Sequence, residues 1–112
     1  MTPEDWAPGS GDIVWLQFSP QAGHEQAGRR PALVLSPIAY NRRTGLMLCC
    51  PLTTRIKGYP FEVAVRGDPP SVVLADQLRC LDWRARRAEP KDRAEATVMR
   101  AVRARASSLI GA

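Results

Sequence analysis

Three polar segments of the sequence carry side chains that could bind phosphate and move protons. The first, "SPQAGHEQAGRRP" at residues 19–31, holds the only histidine of the chain, a glutamate and two adjacent arginines. The others are "PLTTR" at 51–55 and "KGYPFE" at 57–62. Long polar loops are often present for what they bind, and arginine grips phosphate with a planar fork. A basic, hydroxyl-bearing set of this kind favours a polyanionic ligand.

Other chemistries lack the residues that they need. One histidine cannot supply a two-histidine acid and base pair, and no nucleophile elbow is present for a Ser-His-Asp triad. His24, Glu25, Asp76 and the cysteines have no spacing typical of zinc or calcium sites, and there is no glycine-rich phosphate loop. We therefore expect no metal and no cofactor.

The composition predicts one small basic domain spanning residues 1–112. Sixteen Lys and Arg residues against eleven acids give a net charge of +5, which makes nucleic acid the leading partner class. Arginine bias without a ligand explains the same composition equally well. No apolar run is long enough to cross a bilayer and no signal peptide is visible, so a cytoplasmic protein is expected, with its three cysteines as structural thiols.

Apolar patterns place the three segments at the ends of predicted strands. A helix is predicted from Pro90 to Gly111, with Val98, Val102, Leu109 and Ile110 on the sheet and Arg93, Arg100 and Arg103 in solvent. Pro51 predicts an edge or bulge, and residues 37–45 a turn-rich connection. The strands are predicted at residues 11–18, 31–36, 46–53, 61–65 and 72–81. This pattern predicts a mainly β fold, a small SH3-like or sandwich barrel with a C-terminal α-helix.

The motifs in this order resemble one known family. "GDIVWLQFSP", "HEQAGRRP", "VLSP", "PLTT", "KGYPFEV", "LADQ" and "WRAR" are similar to the MazF/PemK toxins of type II toxin–antitoxin pairs, from about Gly11 to Ile110. The resemblance implies a PemK/CcdB-type barrel and a homodimer. It also implies a metal-independent endoribonuclease that cuts single-stranded mRNA at a short motif, with ACA the best guess, and a cognate MazE-like antitoxin whose disordered tail crosses the active site.

The resemblance also assigns catalytic residues. The family's arginine falls on Arg30, its threonine on Thr53, and its acid on Glu25, followed by Gln26. His24 stands where relatives carry serine, so that either Glu25 or His24 could be the general base or acid. Simpler interpretations are that Glu25 and Arg30 form an ordinary salt bridge, that Thr53 only caps its strand and that His24 only borders the site.

The remaining predicted site residues would contact RNA. Stacking and base-edge contacts are predicted for Phe18, Tyr59 and Gln77, although both aromatic rings could instead lie in the core or a dimer interface. Trp6, Trp15 and Trp83 are assigned to packing. Further RNA contacts are predicted for Gln26, Arg29, Thr54, Arg55, Lys57 and Arg86. Two other functions remain open: a non-catalytic toxin of the same fold that binds a protein such as gyrase, and a plain RNA-binding barrel.

Overall fold

The computed structural model describes residues 5–18 and 28–111. Its strands and helices are β1 (Asp12–Gln17), β2 (Arg29–Val34), α1 (Ile38–Thr44), β3 (Leu46–Thr53), β4 (Glu62–Val65), β5 (Ser71–Leu74), β6 (Arg79–Asp82), β7 (Glu89–Arg93) and α2 (Ala96–Ile110). All strand pairs are antiparallel, in the order β4-β5-β3-β2-β1-β7, with β6 also paired to β3. This small curved barrel with a C-terminal helix confirms the predicted mainly β fold.

The central strands are buried on both faces. Val14 and Leu16 of β1 belong to one apolar cluster, whereas Ile13 belongs to a second cluster that α2 covers with Val98 and Val102. Alternate side chains of a strand point to opposite faces, so a strand between two apolar layers must be apolar at successive positions. The run "IVWL" therefore forms a strand with apolar side chains on both faces.

Strand β3 joins the two halves of the sheet. On one side it pairs with β2, and on the other it pairs with β6 over residues 46–49 and with β5 over residues 52–53. Pro51 lies between these two pairings and is fully buried. The predicted edge position was wrong, but proline still occupies the place where the ladder changes partner and a backbone donor is least needed.

Residues 37–45 form a helix and its caps rather than the predicted turns. Pro37 precedes α1 in an extended conformation, and Gly45 ends it at φ 75°, a left-handed conformation that glycine adopts easily. The buried Asn41 holds the helix in place: its amide donates to the carbonyl oxygens of Pro8 and Ser36, and its Oδ1 accepts from the Ser36 hydroxyl. These bonds with residues outside the segment stabilise the helix over a turn.

The other differences lie at the ends of elements. The predicted strand 72–81 is two strands separated by a turn at Asp76 and Gln77, where the backbone N–H of Gln77 donates to the carbonyl of Leu74. Pro90 and Asp92 belong to β7, not to the helix, because β7 is an edge strand beside β1 and tolerates proline there.

The C-terminal helix is shorter and less buried at its end than predicted. It begins at Ala96, and its buried residues are Val98, Met99, Val102 and Ala106. Leu109 and Ile110 are exposed, contrary to the prediction, because the face of α2 that packs on the sheet ends at Ala106. No helix of the described residues is long and apolar enough to span a membrane.

Candidate active site

Two cavities meet at Thr53. The loop cavity, of about 380 Å³, follows the connection between β3 and β4. The sheet cavity, of about 450 Å³, is lined by β1, the beginning of β2, the end of β3, the β4–β5 connection and β7. The loop cavity is lined by Thr53, Arg55, Lys57, Tyr59, Phe61, Glu62, Leu74, Asp76 and Gln77. The residues of the sheet cavity that matter below are Trp15, Arg30, Pro31, Thr53, Thr54, Arg66, Asp68, Lys91 and Asp92. Six of the predicted site residues therefore share this surface with Thr53.

Thr53 presents an oriented hydroxyl to both cavities. It is the last residue of β3 and is 8% exposed. Its Oγ1 accepts a hydrogen bond of 3.1 Å from the backbone N–H of Arg55. This bond uses a lone pair and fixes the side chain, while the hydroxyl proton can still be donated into the cavities. The capping role and the catalytic role proposed for this residue are thus compatible.

Arg30 reaches the same place from the neighbouring strand. It lies in β2 opposite Leu16 of β1, is exposed, and lines the sheet cavity with Thr53. Strands β2 and β3 are paired through Ala32 and Pro51, which carries the two side chains to the same end of the sheet. A permanently charged guanidinium and a hydroxyl donor therefore face one cavity.

Arg29 and Arg86 lie outside both cavities. Arg29 forms an ion pair with Glu89 and donates a 3.1 Å hydrogen bond to the carbonyl of Arg87. Arg86 donates to the carbonyl of Gln17 at 3.0 Å. These contacts tie the β6–β7 connection to β1 and β2, so both arginines have a stabilising role, and their contact with RNA stays a prediction.

The loop at residues 54–60 is held in shape by a carboxylate. Glu62 accepts hydrogen bonds from the backbone N–H of Lys57 at 3.1 Å and of Gly58 at 2.9 Å. At the far end of the loop, Arg105 of α2 donates to the carbonyl of Pro60 at 2.9 Å. The loop therefore presents its polar side chains to the cavity from a backbone that is fixed at several points.

The side chains of this loop suit a nucleic-acid ligand. Tyr59 is 59% exposed, which places it on the surface and not in the core, and the Nζ of Lys57 lies 5.6 Å from its ring centroid. An exposed aromatic ring beside a cation can stack a base and contact its phosphate. Gln77 lines the same cavity and offers an amide for base-edge hydrogen bonds.

Phe18 is not part of this surface. Its side chain is 0% exposed and belongs to the apolar cluster of Val14 and Leu16. A fully buried ring has no free face on which a base could stack, so the prediction of an RNA contact for Phe18 was wrong. The predicted residues His24, Glu25 and Gln26 lie outside the described residues.

Several residues at the cavities were not predicted from sequence. Glu62 and Asp76 line the loop cavity, and Trp15, Arg66 and Lys91 line the sheet cavity. Glu62 and Asp76 lie inside the motifs "KGYPFE" and "LADQ", which were a usable signal. Trp15 and Lys91 come from β1 and β7, and no local pattern indicates that their side chains face the site.

The buried thiols have no part in this chemistry. Burial raises the pKa of Cys49 and of Cys50 to about 12, so both stay protonated near neutral pH. Among residues 5–18 and 28–111, no three His, Cys, Asp or Glu side chains are grouped so that they could hold a metal ion.

Comparison with known proteins identifies similar chains along almost the whole sequence. The sequence model of one family, the PemK-like, MazF-like toxins of type II toxin-antitoxin systems, matches residues 10–110. The chain is 47% identical over 107 residues to endoribonuclease toxin MazF of Escherichia coli strain K12, covering 95% of this chain and 96% of the relative. It is 35% identical over 108 residues to the endoribonuclease PemK of Escherichia coli, covering 89% and 80%.

Solved structures agree with the sequence relatives. MazF (Form-I) from Deinococcus radiodurans is 58% identical and superposes with a TM-score of 0.92, covering 96% of this chain and 100% of the other. A MazE-MazF structure (Form-II) from the same organism matches at 59% identity with a TM-score of 0.85, covering 96% and 98%.

Proposed function

Because the chain belongs to the family of PemK-like, MazF-like toxins of type II toxin-antitoxin systems, we propose that it is an endoribonuclease toxin acting on single-stranded RNA. The observation that carries the proposal is the placement of Arg30 and Thr53 on one cavity, and of Thr53 also on the loop cavity that holds Arg55, Lys57 and Tyr59. A phosphodiester beside Thr53 has a fixed positive charge on one side and base-binding groups on the other.

In the proposed reaction the nucleophile is the 2′-hydroxyl of the substrate. Its oxygen attacks the adjacent phosphorus, a pentacoordinate phosphorane forms, and the bond from phosphorus to the 5′-oxygen breaks. The products are a 2′,3′-cyclic phosphate and a 5′-hydroxyl. This route requires a base for the 2′ proton, donors for the phosphorane oxygens and a proton for the leaving oxygen, and requires no metal-bound water.

The side chains at the site match these requirements. The Arg30 guanidinium holds the charge that develops on the phosphorane, and the Thr53 hydroxyl donates to a non-bridging oxygen. The base is Glu25 or His24, both assigned from sequence. If His24 takes part, the plot of log rate against pH bends near the histidine pKa, and His24→Ser removes that bend. If His24 only borders the site, the rate of His24→Ser stays within about tenfold of the wild type.

We propose that the loop cavity reads the cleaved sequence. Tyr59 stacks a base, Gln77 contacts a base edge, and Arg55 and Lys57 bind the backbone. The similarity of "KGYPFEV" to relatives that cut at ACA makes this triplet the expected motif. A non-catalytic role in binding a protein target is not favoured, since the relatives at 47% and 35% identity are named endoribonucleases.

The proposed partners are an antitoxin of the MazE kind and a second copy of the chain. The relatives from Deinococcus radiodurans are found in MazE-MazF structures. A protein of net charge +5 whose sheet cavity contains Arg30, Arg66 and Lys91 attracts an acidic segment. Such a segment should compete with RNA, so simultaneous binding of both would contradict a shared surface.

The decisive experiment is cleavage of a long RNA in EDTA, followed by mapping of the ends. We expect cuts at one short motif, with cyclic phosphate and 5′-hydroxyl ends, and loss of cutting on chelation would contradict the proposed route. Arg30→Ala and Thr53→Ala should each lower the rate by about 100-fold or more. Arg43→Ala, which removes an exposed arginine of α1 that lines neither cavity, is the matched control.

A further inference from the structure

Trp15 is the tryptophan that lines the sheet cavity, the cavity that also contains Arg30 and Thr53. Trp6 and Trp83 pack edge to face, with ring centroids 5.8 Å apart, and Trp83 is 6% exposed. Trp15 is 38% exposed and lines the sheet cavity. Its assignment to packing was therefore incomplete, because more than a third of a large aromatic side chain remains open to a ligand.

The ring shares the sheet cavity with the proposed catalytic pair. In the β1–β2 register Trp15 is opposite Pro31, the residue that follows Arg30. Side chains directly opposite in an antiparallel pair are separated by roughly 4.5 to 5.5 Å between their Cβ atoms. Trp15 and Arg30 thus lie on neighbouring strands one register position apart, and both line the sheet cavity, which shares Thr53 with the loop cavity.

The surroundings of the ring suit a nucleotide. The Nζ of Lys91 lies 5.3 Å from the Trp15 ring centroid. Arg66 also lines the cavity, and its 3.9 Å ion pair with Glu95 is exposed at both ends, with 91% and 57% of the side chains accessible. Such exposed pairs are weak, so Arg66 can turn to a phosphate. Three cations, Arg30, Arg66 and Lys91, outnumber the acids Asp68 and Asp92.

We propose that the sheet cavity is a second RNA subsite, in which Trp15 stacks the base of a nucleotide adjoining the cleaved phosphate and Lys91 binds the backbone. The RNA strand then crosses Thr53, with bases in the loop cavity on one side and on Trp15 on the other. When a base stacks on Trp15, the Lys91 ammonium moves from the Trp15 ring to a phosphate of the RNA backbone. This inference rests on the proposed function, because the position of the cleaved phosphate is taken from it.

Binding can be measured without cleavage. The probe is a 2′-O-methyl 12-nucleotide RNA with ACA at its centre, which lacks the attacking hydroxyl. We expect it to quench tryptophan fluorescence in the wild type. Trp15→Phe should abolish the quenching and keep the affinity, and Trp15→Leu should weaken binding about tenfold, within the range for removal of one stacking aromatic ring. Tyr40→Leu, which removes an exposed aromatic ring from α1 outside both cavities, should change neither quantity.

Shortened probes show which nucleotide lies on Trp15. Two probes lack the nucleotides on the 5′ or the 3′ side of the triplet. Trp15→Leu should bind the full probe and one shortened probe more weakly than the wild type does. The other shortened probe should bind equally well to Trp15→Leu and to the wild type. Equal affinities of wild type and Trp15→Leu for all three probes would overturn the proposal.

The remaining outcomes separate this inference from the function on which it rests. Quenching with no cleavage of unmodified RNA would reject the endoribonuclease and keep the Trp15 contact. Cleavage of a long RNA that proceeds with unchanged KM in Trp15→Leu would keep the enzyme and reject the subsite. A change in oligomeric mass of Trp15→Leu by light scattering would also reject it, because the ring would then be a contact between copies of the chain.

Discussion

The carboxylate of Glu62 offers a sharp test of how the loop cavity works. Glu62 begins β4 and accepts hydrogen bonds from the backbone N–H groups of Lys57 and Gly58. When Glu62 is replaced by alanine, both N–H groups can donate only to water, and the middle of the loop is no longer held in place. The two ends remain tied, by the Arg55 N–H on Thr53 and by Arg105 on the carbonyl of Pro60.

The size of the effect follows from the number of bonds lost. An intramolecular hydrogen bond contributes a net of about 1 kcal/mol, and loss of two therefore disfavours the bound loop shape by about 2 kcal/mol. Since 1.4 kcal/mol is a factor of ten in affinity, RNA binding should weaken about thirtyfold. Arg30 lies outside this loop, and Thr53 belongs to β3. We therefore expect the change in KM, with kcat within about threefold of the wild type.

The assay is steady-state cleavage of a fluorogenic RNA that contains the mapped motif. Glu62→Gln retains one acceptor oxygen and should lie between wild type and Glu62→Ala. Asp5→Ala removes the same charge from an exposed residue that lines neither cavity and should leave KM unchanged. A thirtyfold fall in kcat at constant KM, or equal losses in Glu62→Ala and Asp5→Ala, would refute the role of Glu62 in positioning the loop.

Two further predictions concern stability and thiol chemistry. Asn41→Ala removes three buried hydrogen bonds, to Pro8 and twice to Ser36, and should lower the free energy of unfolding in urea by about 3 kcal/mol, whereas a loss below 1 kcal/mol would show that α1 is held by other contacts. With a thiol reagent at pH 8 the exposed Cys80 should react at once and the buried Cys49 and Cys50 only on unfolding. Burial raises the pKa of these two thiols from 9.0 to about 12, so the folded state retains their protons more strongly than the unfolded state does. The free energy of unfolding should therefore be constant below pH 9 as far as these thiols are concerned, and should fall as the pH rises toward 12. An increase over that range would contradict the burial of Cys49 and Cys50.

Local patterns were sufficient for strands β1 to β4 and for Arg55, Lys57, Tyr59 and Gln77 of the loop cavity. Strand β3 and the loop after it are read directly from "LMLCCPLTTR", because an apolar run with β propensity is followed by hydroxyl and basic side chains. Arg55, Lys57 and Tyr59 lie within a few residues of Thr53, and chain connectivity alone brings them to one cavity.

The sequence by itself did not determine which face of a doubly buried strand meets the site. Trp15 and Phe18 are both aromatic residues at the apolar β1 region, and only the stacking of the two clusters decides that Phe18 is in the core while Trp15 is at the sheet cavity. Strand β7 is exposed along its length and carries no apolar alternation, so its pairing with β1 is a tertiary effect. The same holds for α1, whose turn-forming residues become helical because buried Asn41 bonds to Pro8, 33 residues away.

The approach of Arg30 to Thr53 was decided in the same way. The sequence determined that Arg30 lies near the end of one polar segment and Thr53 within another. The antiparallel pairing of β2 with β3, through Ala32 and Pro51, places the two side chains on one cavity. Residue chemistry is local and can be read from the chain, whereas a site built from three strands exists only once their hydrogen-bonded registers have been set by burial of the two apolar clusters.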